Sequence, residues 1–452
     1  MHSIVGTPYA RKVTDRRTLN RDILRLAVPA LGSLVAEPVF LAVDAAMIGH
    51  LGVEELAGLG IASAVLTTVV GLMVFLAYST TPAVARRFGR RDLRGAVSVG
   101  IDSVWLALGI GAVLAVSGHF ATPLLVAAFS PTAAVSSHAG TYLAISMWGL
   151  PAMLVVFAAT GLLRGLQNTV VPLWIAGAGF TANALLNALL IYGLGWGVAG
   201  SALGTVVVQW GMVVAYVVVI GRLARRHRAS VRPQREGVRG SARSGGWLFL
   251  RTVSLRVATL GTVWVATSLG TDELAGWQVV FTIFNTAAFA LDALAIAAQA
   301  LIGKALGEGD PQRVRSVLGR TALWGVWCGV VFGAVIAALS GVIGLVFTGD
   351  ADVAAFIRPA LLVLALSQPL GAFVFVLDGV LMGANDARYL AFAGGLNLVP
   401  FLPVLALLAW LAPSGPSALA WLAAAYYGVY MLARGITLGV RIRGTAWMRQ
   451  RA

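Results

Sequence analysis

The sequence predicts an all-α integral membrane protein, with twelve transmembrane helices in two six-helix bundles related by a pseudo-two-fold axis along the membrane normal. Three observations predict it. Of the 452 residues, 59% are hydrophobic and only 11% charged, with a mean hydropathy of +0.86, whereas a soluble domain carries about 25% charge. Apolar stretches long enough to cross a hydrocarbon core of about 30 Å, at about 1.5 Å per residue, recur along the whole chain. One motif returns after 218 residues: LGVEELAG at 51–58 reappears as LGTDELAG at 269–276.

The twelve spans lie near 23–48, 58–84, 96–118, 138–162, 170–194, 197–222, 246–268, 276–303, 316–345, 358–382, 389–411 and 417–440. They are continuously apolar, not alternating, so they are helices and not barrel strands. The first follows a basic arm and carries Pro29, Pro38 and Asp44; the second and third are joined by RRFGRRDLR; the sixth and seventh are separated by RRHRASVRPQREGVRGSAR. Arginines also follow the eighth span (Arg313, Arg315, Arg320), the tenth (Arg388) and the twelfth (RIRGTAWMRQR). The alternate connections read GVEELAG, GLGWG, GTDELAG and PSGPS. Cytoplasmic loops keep Lys and Arg, so both termini are expected in the cytoplasm.

The net charge of +15 raises nucleic acid as a partner, but basic residues confined to one membrane face are explained by topology and anionic headgroups. No nucleic acid is expected, and the lipid bilayer is the surrounding partner. Cys328 stands alone, which excludes an intramolecular disulfide. No GxxxxGK[ST] loop is present, so ATP does not drive the protein directly. The five histidines form no HExxH pattern and no nucleophile motif is recognisable, so an enzyme is not expected.

The 218-residue register also pairs Gly89 with Gly307, Asp92 with Asp310, Ser98 with Ser316, Phe129 with Phe347, Pro151 with Pro369, Gly161 with Gly379 and Gly165 with Gly383, without a gap. The repeating unit is six helices. Six is even, so the copies run parallel around an axis along the membrane normal. The expected organisation is an arm at 1–20, a bundle at 21–222, a basic linker at 223–245, a second bundle at 246–442 and a tail at 443–452. Two parallel halves about a central cleft suit an alternating-access transporter.

Asp44 is the first candidate for function, because a carboxylate in a span is costly and intramembrane acids usually face a wet interior. Glu37 lies seven residues before it on nearly the same face, and Pro29 and Pro38 make a bend available in that helix. In the fifth span Asn183 and Asn187 are four apart and share a face; Thr205 in the sixth adds a hydroxyl. On the residues alone these polar groups serve equally well as interhelical hydrogen bonds. At the 218-residue offset Asp44, Asn183, Asn187 and Thr205 become Thr262, Phe401, Leu405 and Ala423, so scaffold packing does not demand the constellation. In the second half Gln278, Asn285, Asp292 and Gln299 recur every seven residues and form one stripe facing the cleft. Asp292 serves either as a cleft acid for a cation or as a structural acceptor; Arg256 on the seventh span is a candidate counter-ion, the alternative being that Arg251 and Arg256 simply face the cytoplasmic vestibule. Asp378 reads as structural.

The segments PALGSLVAEPVFLAVDAAMIGHLGVEELAG, TGLLRGLQNTVVP, LDALAIAAQALIGKALGEGD and LDGVLMGANDA together resemble the multidrug and toxic compound extrusion (MATE) transporters, in the branch named for DNA-damage-inducible protein F. The resemblance covers about residues 20–440. It implies a V-shaped pair of bundles in the plasma membrane (inner membrane) of a prokaryotic cell, exporting small organic cations or amphiphiles as a monomer. It further implies no cofactor, only a coupling ion, with the proton favoured over sodium. A first-helix Asp, polar fifth-helix residues one turn apart and a sixth-helix Thr form the cation site of such proteins; Asp44, Asn183, Asn187 and Thr205 match it, and sodium would sit at Asp44, Asn183 and Asn187. Some members carry an acid at the position of Asn187. The alternative is a flippase of lipid-linked precursors from the same superfamily, although such proteins usually add two helices and a basic cavity.

Overall fold

A computed structural model describes residues 16–348 and 351–448. Every described element is a helix. The spans are α1 (Arg16–Gly49), α2 (Val53–Gly89), α3 (Leu93–Ala127), α4 (Ala133–Gly165), α5 (Val170–Gly193) and α6 (Gly197–His227) in the first bundle. In the second they are α7 (Arg235–Leu269), α8 (Thr271–Glu308), α9 (Pro311–Thr348), α10 (Ala351–Gly383) and α11 (Ala387–Leu411). The twelfth, α12, is built of Pro416–Ala423, a π-helical stretch Ala424–Tyr430 and Met431–Arg443. Among the described residues eleven helices are long and apolar enough to span a membrane; α12 is diluted by Tyr426, Tyr427, Tyr430 and Arg434 but completes the second six.

Helix ends and breaks follow local chemistry. Asp92 caps α3 by accepting from the Gly95 amide at 2.8 Å, and its repeat mate Asp310 caps α9 by accepting from the Arg313 amide at 2.9 Å. Helix α1 runs through Pro29 and Pro38 unbroken. The carbonyl that Pro29 cannot engage, that of Arg25, accepts from the Thr169 hydroxyl at 3.4 Å. Helix α2 breaks at Val74, and α4 passes through a 3-10 turn at Met147–Gly149.

The duplication read in the sequence is also a symmetry of contacts. A Cβ on Gly161 would meet the carbonyl of Ala77, and one on Gly379 that of Ala295, the same pair 218 residues on; Gly165 against Thr81 and Gly383 against Gln299 repeat the pattern. Small residues here let helix backbones approach closely. The two bundles touch on their common axis: Gly89 and Gly307, repeat mates, face each other so closely that a Cβ on either would lie 3.0 Å from the other's Cα. Around them a Cβ on Gly89 would meet the Lys304 carbonyl, one on Gly307 would meet that of Arg86, and the Arg86 side chain donates to the carbonyl of Ala384.

This contact lies at the arginine-rich end of the spans. Further in, Ala30 of α1 packs with Ala293 and Ile296 of α8. Towards the opposite end the eighth-helix stripe opens step by step: Gln299 is 1% exposed, Asp292 half-buried, Asn285 and Gln278 exposed. The bundles thus close at the basic end and leave a cleft open to the other.

Two boundaries differ from the sequence reading. The linker expected over 223–245 is irregular only at 228–234, because α6 continues to His227 and α7 starts at Arg235. Arg and Glu are good helix formers, so a charged stretch leaving the membrane stays helical in water. The short connection is pinned to α3: Asp102 accepts from the Gln234 amide at 2.7 Å and Trp105 donates to the Val231 carbonyl at 3.0 Å. The arm expected to end at residue 20 is helical from Arg16; residues 1–15 and the tail from 449 lie outside the described residues.

Candidate functional site

Asp44 lies five residues from the end of α1, about 7.5 Å along the axis, and so in the last third of the span instead of its middle. It is nonetheless 3% exposed. His50, at the end of the helix, engages the Ala46 carbonyl through its ring at 2.6 Å and does not touch the carboxylate. One carboxylate oxygen, Oδ1, accepts from Asn187 Nδ2 at 2.9 Å and from Ser201 Oγ at 2.6 Å; the other, Oδ2, accepts from the Tyr142 hydroxyl at 3.1 Å. Asn187 Nδ2 also donates to Asn183 Oδ1 at 3.0 Å, and Asn183 Nδ2 to Thr205 Oγ1 at 3.0 Å.

Four helices therefore converge on one carboxylate: α1, α4, α5 and α6. The i, i+4 spacing on α5 stacks Asn183 and Asn187, as the sequence suggested. Thr205 joins at second remove, through Asn183. Ser201, four residues before Thr205 on the same face of α6, and Tyr142 of α4 were missed in the sequence. Glu37 belongs to α1, but its side chain lies outside the described residues.

Among the described residues all partners of Asp44 are neutral donors, and no cationic side chain pairs with it. Asn187 Oδ1 is buried with no hydrogen-bond partner. A buried acceptor without a donor is rare and costly. The cage thus contains one group that changes charge, two hydroxyl rotors, Tyr142 and Ser201, and one amide with spare acceptor capacity.

The second polar centre is of another kind. Asp378 of α10 accepts from Arg251 Nη2 at 2.6 Å and Nε at 3.3 Å, and also from Arg434 of α12. Two guanidiniums thus fix one carboxylate. Asp292 accepts from the hydroxyl of Tyr78 at 3.2 Å, and Gln299 Nε2 donates to the Tyr78 carbonyl at 2.7 Å, so two members of the stripe bridge the bundles through α2. Arg256 is not the counter-ion of Asp292. It is exposed, makes no ion pair among the described residues, and reaches towards Gly71 of α2. The guanidiniums within electrostatic reach of Asp292 are those of Arg251 and Arg164.

Comparison with known proteins follows the same two units. The MatE family profile matches residues 29–189 and 249–408, one stretch in each bundle. The chain is similar to "Protein DETOXIFICATION 44, chloroplastic" of Arabidopsis thaliana, 31% identical over 389 residues that cover 83% of this chain and 74% of that protein. It is 26% identical to "DNA damage-inducible protein F" of Escherichia coli (strain K12) over 424 residues, 93% of this chain and 91% of the other. Its fold is similar to a Vibrio cholerae MATE transporter in the bent form, with a TM-score of 0.85 at 17% identity, covering 96% of this chain and 99% of that one.

Proposed function

The chain belongs to the MatE family, a family of transporters and not enzymes, and on that premise we propose that it exports small amphiphilic organic compounds by alternating access, with Asp44 as the coupling group and the proton as the coupling ion. The arginine-rich end, both termini and the 228–234 connection face the cytoplasm on this reading. The cleft then opens outward.

The observation that carries the reading is the cage of Asp44. A carboxylate surrounded only by hydroxyl and amide donors, out of water, is at its most sensitive to proton supply, because no fixed cation holds it ionised. Ionised, it accepts three hydrogen bonds. Protonated, it needs an acceptor, which the Tyr142 oxygen supplies after the hydroxyl turns, or Asn187 Oδ1 after its amide turns. Either turn rearranges contacts among α1, α4, α5 and α6, and so converts protonation into helix movement. Sodium asks for a different arrangement, with several oxygens directed at one point, whereas here Nδ2 of Asn187 occupies the position beside Asp44.

The expected cleft acid for a cationic compound has little support. Asp378 is fixed by two arginines and Asp292 is held by Tyr78. The test is purified protein in liposomes with pH and sodium gradients imposed separately. Flux under the pH gradient alone is expected; flux under sodium alone at clamped pH would remove the proton assignment, and no flux under either would remove the transport reading.

A further inference from the structure

We propose that the cleft binds an anionic group, a carboxylate or sulfonate carried on an amphiphilic organic compound, through Arg256 and Arg164. The proposal rests on the transport reading for what the cleft is for, and names the class of substrate.

Four arginines and two acids line this part of the molecule. Asp378 is shared by Arg251 and Arg434, and Asp292 is bonded to Tyr78. Arg164 and Arg256 remain: neither guanidinium makes a hydrogen bond or an ion pair among the described residues. Arg164 is 8% exposed at the end of α4 and lies within electrostatic reach of Asp292, Tyr78 and Tyr216. Its guanidinium nitrogens are not sealed from solvent, so five donors and a permanent charge stay open to a partner that arrives during the working cycle.

Arg256 is the outer of the two. Its Nη2 occupies the space where a side chain on Gly71 would begin, so it stretches from α7 across to α2, and it is exposed. A lipid-facing arginine at this depth is strongly disfavoured, and a cleft-facing one is solvated. The exposed upper stripe of α8, Gln278 and Asn285, supplies uncharged polar groups on the same open side. Asp44 cannot compensate these cations, because it is sealed inside the first bundle by its own cage. The cleft therefore holds an excess of positive charge, and guanidinium is the side chain best shaped for bidentate contact with a carboxylate or sulfonate. An anion entering from the open end meets Arg256 first. Parting of Tyr78 from Asp292 would then uncover Arg164.

The experiment uses the full chain in lipid nanodiscs, with fluorescence anisotropy of carboxyfluorescein as the anionic probe and ethidium as the cationic one. Carboxyfluorescein is expected to bind without being displaced by ethidium. Arg256→Gln should weaken it about tenfold or more, the loss of a charge-assisted contact, and Arg256→Lys should retain most of the affinity. Arg164→Lys, which keeps the buried charge and the fold, should weaken it less than Arg256→Gln. Ethidium binding with no carboxyfluorescein binding overturns the proposal, as does unchanged affinity in both Arg256→Gln and Arg164→Lys. In liposomes, passage of a fluorescent phosphatidylglycerol with no binding of carboxyfluorescein also overturns it, in favour of a lipid headgroup. Dye binding without flux under any gradient leaves the anion site standing and removes the transport reading alone.

Discussion

The two bundles keep one register at an offset of 218 residues and spend their polar groups in opposite ways. Around Asp44 the first bundle builds its cage from Tyr142, Asn187 and Ser201, with Asn183 and Thr205 behind. The same places in the second bundle are Thr262, Ala360, Leu405, Leu419, Phe401 and Ala423, all fully or nearly buried, and Thr262 merely turns its hydroxyl back to the Thr259 carbonyl at 2.7 Å. The converse holds for the ion pair of the second bundle. Asp378 and Arg434 have Thr160 and Tyr216 as mates, and those two still meet, hydroxyl to hydroxyl at 2.8 Å. Duplication preserved which positions touch. It left the choice of neutral or charged chemistry to each copy: a titratable acid without a cation in one, an acid locked by cations in the other.

The comparison breaks first at Asp44. Asp44→Asn keeps the shape and much of the hydrogen bonding but removes the ionisable group, so gradient-driven efflux is expected to fall to background at matched membrane expression. Efflux at the wild-type rate would mean that coupling resides elsewhere. The reverse graft, Thr262→Asp, should give no coupling in an Asp44→Asn background. It should cost about 3 kcal/mol or more in stability, because Phe401 and Leu405 offer the new carboxylate no donor.

The second effect is mechanical. Gly89 and Gly307 touch at the basic end, so Gly89→Val or Gly307→Val should hold that end apart. Labelling of Gln299→Cys by a water-soluble thiol reagent, in a Cys328→Ala background, is expected to rise several-fold in the valine variants. Equal labelling would show that the glycine contact does not close the cleft.

Third, Asp378→Asn leaves Arg251 and Arg434 without their shared anion. Breaking a buried pair costs about 3–5 kcal/mol, so thermal unfolding should move down clearly, while the protein that remains folded still transports. Loss of transport in folded Asp378→Asn protein would give the second bundle a coupling role that the comparison denies it.

Much of this was legible before the structure, and for stated reasons. Helical spacing brings Asn183 to Asn187, and the same rule applied to α6 would have found Ser201, four residues before Thr205. Tyr142 carries no such signal, because a tyrosine in a span reads equally as packing or as an interface residue. The helical ends of the 223–245 linker were not legible, because hydropathy reports where the membrane ends and not where the helix ends. Arg256 was assigned to Asp292 by charge alone; which of several arginines reaches a carboxylate depends on side-chain direction around two helices, and Arg251 is the one that turns inward, to Asp378. The repeat contained more than was taken from it, since the offset already aligned Asp378 with Thr160 and Arg434 with Tyr216.

That last pair yields the smallest and most discriminating effect. Thr160 and Tyr216 join α4 to α6 by a neutral hydrogen bond in a part-buried place, and Arg164, one turn further along α4, lies within electrostatic reach of Tyr216. Tyr216→Phe removes one hydroxyl and little volume, so the cost is that of one neutral hydrogen bond, about 1 kcal/mol. A merely structural bond moves only the unfolding midpoint. If the charge pair of the second bundle was replaced here by neutral partners so that α4 and α6 can shift when Asp44 changes protonation, Tyr216→Phe should also alter the rate of transport at fixed gradient without altering which ion drives it. The measurement is the pair of values, unfolding midpoint and initial flux. A change in the midpoint with no change in flux would confine the Thr160–Tyr216 contact to packing, and would place the movable part of the first bundle at the Asp44 cage alone.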